Sequence, residues 1–216
     1  MKNAIKSYLV FTTGLCRVVT FVLAPFLAVA VQWLMEPRDF MMASILNALV
    51  FISAELMLDY WVFGGIAVKN VKQMEYLKTS PKGRRIMRMA LIVDMVRQFL
   101  AGMILFAFGI AFCLCRGSVT SWESGRMAEG IAVLLFAYAV TITGITVARH
   151  FDGMAVNMMI AMAAYVILTA GSFLILGATY VMLAVSLAFA AAASIFGVWK
   201  VMKRVEEGYY DQTDEA

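Results

Sequence analysis

Charge is what this sequence has least of. Only 15% of the 216 residues are charged, against about a quarter in soluble domains, while 63% are hydrophobic and the mean hydropathy is +0.85. An ordinary water-soluble globule is excluded. Three prolines and fifteen glycines exclude a disordered or fibrous chain. The single histidine, His150, lies beside Arg149 and Asp152. No Ser/His/Asp, Cys/His or H-E-x-x-H arrangement accompanies it, so no enzyme active site and no metal site is expected. Of the three cysteines, Cys113 and Cys115 stand two apart on a predicted helix and point to different faces, and Cys16 is distant. That spacing argues against a disulfide framework and for small apolar fillers. No G-x-x-x-x-G-K-[ST] occurs, so the chain has no phosphate cradle of that kind and no cofactor is expected on it.

What fills the chain is apolar sequence in long runs. A bilayer-spanning helix takes about 20 apolar residues, and the runs divide into six such helices, at 8–34, 40–68, 89–115, 127–148, 155–176 and 179–199. The 45 uncharged residues from Ala155 to Trp199 make two crossings, with a turn near Gly177-Ala178-Thr179. The first run has a basic start, Lys2 and Lys6, and an Ala28-Val29-Ala30 triplet, the outline of a signal peptide. Arg17 splits it, so a retained span is expected, bent at Pro25. Trp122 sits in a polar loop at an interface. The fold class is therefore an all-α membrane protein of six transmembrane helices in a single domain, residues 1–216.

Orientation follows from Lys and Arg. With six crossings both termini share a side, and thirteen basic residues lie on it: Lys2, Lys6, Lys69, Lys72, Lys78, Lys82, Arg84, Arg85, Arg88, Arg149, Lys200, Lys203 and Arg204. Only Arg38, Arg116 and Arg126 lie on the other. The positive-inside rule makes both termini cytoplasmic. The expected location is a cell membrane, the bacterial inner or plasma membrane, and the basic excess calls for anionic lipid, with no nucleic-acid partner.

The polar segment 69–88 between the second and third spans is the most informative. Val71, Met74 and Leu77 recur at three-residue spacing and form one apolar stripe of a short helix with lysines opposite. Ser80-Pro81-Lys82-Gly83 is expected to stop that helix and turn the chain back to the membrane. One reading is a basic interfacial helix anchored to anionic lipid. The other is a docking element. Here Met74-Glu75-Tyr76-Leu77-Lys78-Thr79-Ser80-Pro81-Lys82-Gly83-Arg84-Arg85 resembles the connection between helices two and three in membrane subunits of ABC-2-type ABC transporters. In those permeases an acidic or aromatic residue and a leucine precede a Ser/Leu-Pro turn and basic residues open the third helix. The resemblance implies six helices, cytoplasmic termini and a coupling segment, here Val71, Met74, Glu75, Tyr76, Leu77, Ser80, Pro81, Lys82 and Gly83. It also implies a separate cytoplasmic ABC ATPase carrying ATP and magnesium, docked on residues 70–83. The permease would then pair as a homodimer or as a heterodimer with a related permease.

Five ionisable residues fall inside the spans: Arg17, Glu55, Asp59, Asp94 and Arg97. At the helical rise they lie about 9–21 Å from the basic ends. Charges at that depth are costly unless paired or facing a cavity. Glu55 and Asp59 are four apart and Asp94 and Arg97 three apart, so each couple shares a helix face. A salt-bridge network joining helices one to three is expected. A sharper alternative makes Glu55 or Asp59 the ion site of a coupled carrier, although Gly64-Gly65, near a cytoplasmic end, reads as readily as a hinge. Ala184, Ala188 and Ala192, with Ser186, Ala190 and Ser194, let another helix approach the sixth span closely, either helix five or a second subunit. The sequence thus points to an exporter permease moving a hydrophobic or peptide substrate. A non-transporting immunity, sensor or assembly protein that holds a cytoplasmic partner is the alternative.

Overall fold

A computed structural model describes residues 2–9, 12, 14–37, 39–62, 80–117, 124–149, 154–177 and 179–210. The described residues form helices and no strand. A short helix α1 (Lys2–Leu9) precedes the first span, which is built from α2 (Gly14–Val18), a π-helical turn (Val19–Leu23) and α3 (Ala24–Met35). The others are α4 (Phe40–Val62), α5 (Pro81–Arg116), α6 (Ser124–Ala148), α7 (Met154–Gly177) and α8 (Thr179–Tyr210). Six helices are long and apolar enough to cross a membrane. Their outward faces carry Phe26, Leu34, Val166 and Ile195, each more than two-thirds exposed, which is tolerable only against lipid. The chain is a multi-pass membrane protein.

The first apolar run divides unexpectedly. Tyr8 belongs to α1, which packs on α5, and the spanning helix begins only beyond it. Pro25 does not break the helix. It enters as an early residue of α3, and the π turn before it absorbs the missing N–H donor while Leu23 and Ala24 keep helical dihedrals. The span ends at Glu36, which adopts a left-handed conformation (φ 45°) ahead of Pro37 and returns its N–H to Gln32 O at 3.2 Å.

The third helix starts earlier than the apolar run suggests. Ser80 is its N-cap (φ −90°, ψ 139°), with Oγ accepting from Gly83 N at 2.9 Å, and Pro81 takes the first helical position. Ser80-Pro81-Lys82-Gly83 is therefore the opening of α5, and the short helix expected before it lies outside the described residues. The reason is local: proline lacks only a hydrogen bond that the first helical residue would not make, and serine satisfies an orphan donor. At 36 residues, α5 is about 54 Å long. Segment 69–79, with Val71, Met74, Glu75, Tyr76 and Leu77, lies outside the described residues, as do His150, Trp122 and Gly64-Gly65.

The core is centred on α6, which packs on α4, α7 and α8. Ala132, Val133, Ala137, Ala139 and Ile142 are buried there among Phe51, Ile52 and Leu168. Small residues do let the sixth span approach a neighbour, but that neighbour is chiefly α6, not α7. The approach uses Ser186, Ala190, Ala193 and Gly197, whereas Ala184, Ala188 and Ala192 face outward. A Cβ at Gly197 would meet Thr146 Oγ1 at 2.9 Å and Ile142 at 3.2 Å, so only glycine admits this contact. Helix α8 continues to Tyr210, past the end of the apolar run at Trp199.

Candidate functional site: a buried chain of alternating charge

Glu55 and Asp59 lie one turn apart on the inward face of α4, both almost fully buried. Across from them, Arg97 on α5 presents its guanidinium edge to Glu55 in a two-pronged contact, Nη1 to Oε1 at 3.0 Å and Nη2 to Oε2 at 2.7 Å. The same guanidinium holds Asp94, one turn back on its own helix, with Nε to Oδ1 at 3.1 Å and Nη2 to Oδ1 at 3.0 Å. Its Nη1 also donates to Thr20 Oγ1 at 3.3 Å, and the Thr20 hydroxyl donates to Cys16 O at 2.8 Å. The π turn thus brings a threonine to the arginine.

Asp94 uses its second oxygen elsewhere. Oδ2 accepts from Gln98 Nε2 at 3.0 Å and from Arg149 Nη2 at 3.1 Å. Arg149 reaches Asp59 through Nε, 3.1 and 3.2 Å from the two carboxylate oxygens, and through Nη2. The order in space is Glu55, Arg97, Asp94, Arg149, Asp59, negative and positive in alternation. It ties α4, α5 and the end of α6 together, with the first span attached through Thr20. Bidentate pairing, with further hydrogen bonds at Asp94, is the geometry that repays the desolvation of buried charge.

Four of the five residues expected in an intramembrane network are therefore brought together. Arg17 is not. It is exposed and makes no ion pair among the described residues. Cys16, Thr20, Ala24, Ala28 and Gln32 form the buried stripe of the first span at four-residue spacing, and Arg17, about 100° round the helix from Cys16, points away. Arg149 takes its place. It follows the last residue of α6, returns its N–H to Ile145 O at 3.0 Å, and is 3% exposed. Its sequence position at the end of an apolar run reads as a loop charge. The available signal was its register, since Tyr138, Ile142, Ile145 and Arg149 share the core-facing side of α6.

Tyr8 of α1 joins from outside the span. Its hydroxyl hydrogen-bonds Asp94, and burial pushes the phenol above its ordinary value. The cavity between Tyr8, Thr20, Asp59, Asp94 and Arg97 measures about 10 Å³, too small for any substrate. No group of three or more His, Cys, Asp or Glu suited to a metal occurs among the described residues.

A second polar set lies toward the other end of the bundle. Gln32 Nε2 donates to Ala43 O at 2.7 Å and its Oε1 accepts from Cys113 Sγ at 3.3 Å, joining the first three spans. Arg116 closes that end, with Nη1 on Trp33 O at 3.0 Å and Nη2 on Glu36 Oε1 at 2.6 Å. Cys113 is buried and Cys115 exposed, on different faces of α5. Of the residues expected to dock a partner, Ser80 and Gly83 are seated in the cap of α5, while Pro81 and Lys82 are exposed at its start. No family model, curated protein or solved structure matches the chain.

Proposed function

We propose that this chain is the membrane-spanning permease subunit of an ABC-2-type exporter. It moves a hydrophobic or peptide substrate with ATP hydrolysed, with magnesium, on a separate cytoplasmic ATPase docked on residues 70–83. Both termini face the cytoplasm of a bacterial inner or plasma membrane, and the permease works as a homodimer or with a related permease.

One observation carries this reading: the unbroken third helix. Its length of about 54 Å exceeds a hydrocarbon core of about 30 Å, and its first two turns carry Lys82, Arg84, Arg85 and Arg88 ahead of the apolar stretch. Capped at Ser80, the helix runs without interruption from the end of the polar segment to Asp94 and Arg97, whose ion pairs grip α4 and α6. A force on the segment before Ser80 is transmitted through a rigid rod to the other spans. A protein that merely holds a partner has less use for such a linkage. The carrier alternative is disfavoured because Glu55 and Asp59 are each clasped by a guanidinium, leaving neither carboxylate poised for a coupling ion.

The test is co-purification in detergent, followed by reconstituted flux. An ATPase that accompanies the wild type and dissociates from Leu77→Asp, with loss of ATP-driven export, is the expected result. Purification with no nucleotide-binding partner, or a partner indifferent to Leu77→Asp, overturns the exporter reading. Sodium- or proton-driven uptake lost in Glu55→Gln would restore the carrier.

A further inference from the structure

The first span, α4 and α5 pack on one another, and the faces they turn inward carry few large apolar side chains. On α5 the buried stripe from the charge cluster to the far end reads Asp94, Gln98, Gly102, Leu105, Gly109 and Cys113. On α4, Phe51 and Asn47 continue the buried face of Glu55 at intervals of one turn. The buried stripe of the first span offers a thiol, a hydroxyl, two alanines and the Gln32 amide. Phe51 and Leu105 are the bulky members of these three faces. The core around α6 is built differently, from side chains such as Ile52, Val133, Ile142 and Leu168.

Asn47 is the anomaly in this interior. It is fully buried, yet neither its amide nitrogen nor its amide oxygen has a hydrogen-bond partner. The amide lies against the bare backbone of Gly109, where a Cβ would collide with both of its polar atoms. Gln98 is a lesser case: Nε2 donates to Asp94 at 3.0 Å, but Oε1 accepts nothing. A buried amide without partners loses its hydration and recovers none of it. Leucine would fill a similar space at no such cost. One turn beyond Asn47, Gln32 bridges the two helices, held by Ala43 O of α4 and by the weak thiol donor of Cys113 on α5.

We propose that the interior of the first three spans is a closed aqueous crevice. It parts from the end opposite the basic residues and admits water past Asn47 toward the charge cluster. Water is the occupant because wetting gives the Asn47 amide the hydrogen bonds that closure denies it. Polar side chains within a span face the bundle interior or a water-filled cavity, and these faces serve both states. The direction follows from position: Asn47 lies seven residues, about 10 Å, from the start of α4 at Phe40. Further in, the two-pronged contact of Arg97 with Glu55 ties α4 to α5 and forms the floor. Gln32 is the latch at the mouth, and Phe51 and Leu105 are the plug below it. The crevice stands apart from the exporter reading, since it needs neither an ATPase nor a cargo.

The experiment is labelling of the full chain in lipid nanodiscs with a charged, water-soluble thiol reagent, read peptide by peptide by mass spectrometry in a Cys115→Ser background. Asn47→Cys is expected to react at least about tenfold faster than Ile52→Cys, an equally buried position of the main core. Native Cys113, at the mouth, is the second probe. Asn47→Leu removes the unpaired amide and should slow Cys113 labelling about tenfold, the factor set by the amide's lost hydration. Gln32→Met releases the latch and should speed it, with Ile52→Cys still protected. Reaction of Asn47→Cys no faster than that of Ile52→Cys overturns the crevice. So does Cys113 labelling that is indifferent to both Asn47→Leu and Gln32→Met. If Asn47→Leu fails to fold, the comparison of Asn47→Cys with Ile52→Cys decides.

Discussion

Arg17 and Arg149 carry the same charge, and the structure separates them completely. Arg149 is buried between Asp59 and Asp94, and removing its guanidinium leaves the Asp59 carboxylate buried without its cationic partner, beside an Asp94 that keeps only Arg97. Arg149→Met is therefore expected to cost about 3–5 kcal/mol, read as a lowered unfolding midpoint in detergent. Arg17→Met, at an exposed position, should stay within about 0.5 kcal/mol of wild type. Equal effects would mean that the alternating chain of charges does not hold the bundle. Glu55, Asp59, Asp94 and Arg97 were legible in the sequence because isolated charges in apolar runs must find one another. Arg149 was not, because a charge one residue past a run looks solvated until the helix ending there is known to lie at the centre of the bundle.

At the scale of elements, α5 departs furthest from its hydropathy. The apolar stretch begins near Met89, but the helix begins at Pro81 because a serine cap and a first-turn proline outweigh the cost of a basic opening. Lys82, Arg84, Arg85 and Arg88 thus extend a spanning helix beyond the apolar layer instead of decorating a loop. Ser80→Ala should destabilise this start by about 1 kcal/mol, seen as faster amide hydrogen exchange over residues 81–84, with protection at 94–98 unchanged. Protection lost at both places would show that the cap and the charge cluster are one cooperative unit. No change at either would show that the hydroxyl does not cap the helix. The π turn is the other element that hydropathy could not register. It depends on how Pro25 is accommodated, and it is what delivers Thr20 to Arg97.

On the scale of the whole molecule, the paired charges near the basic ends and the Gln32–Ala43–Arg116 set toward the other end fasten the first three spans at two levels. Helix α6 serves as the post around which α4, α7 and α8 stand. By the positive-inside rule, the thirteen-to-three division of basic residues predicts Lys82 on the cytoplasmic side. A membrane-impermeant thiol reagent added to intact cells should label the native, exposed Cys115 and leave Lys82→Cys untouched. The reverse pattern would invert the orientation and, with it, the side from which any ATPase could dock.

Six crossings, and the side on which basic residues gather, were determined by the sequence by itself. In a bilayer the free energy of placing apolar length and charge dominates every local preference, and both can be counted along a chain. Tertiary structure decided which arginine enters the core, which helix receives the glycine-smoothed face of α8, and which buried amide is left unpaired. Those outcomes depend on how helices are rotated about their axes and on how far a side chain reaches, and neither is written in any single run of residues.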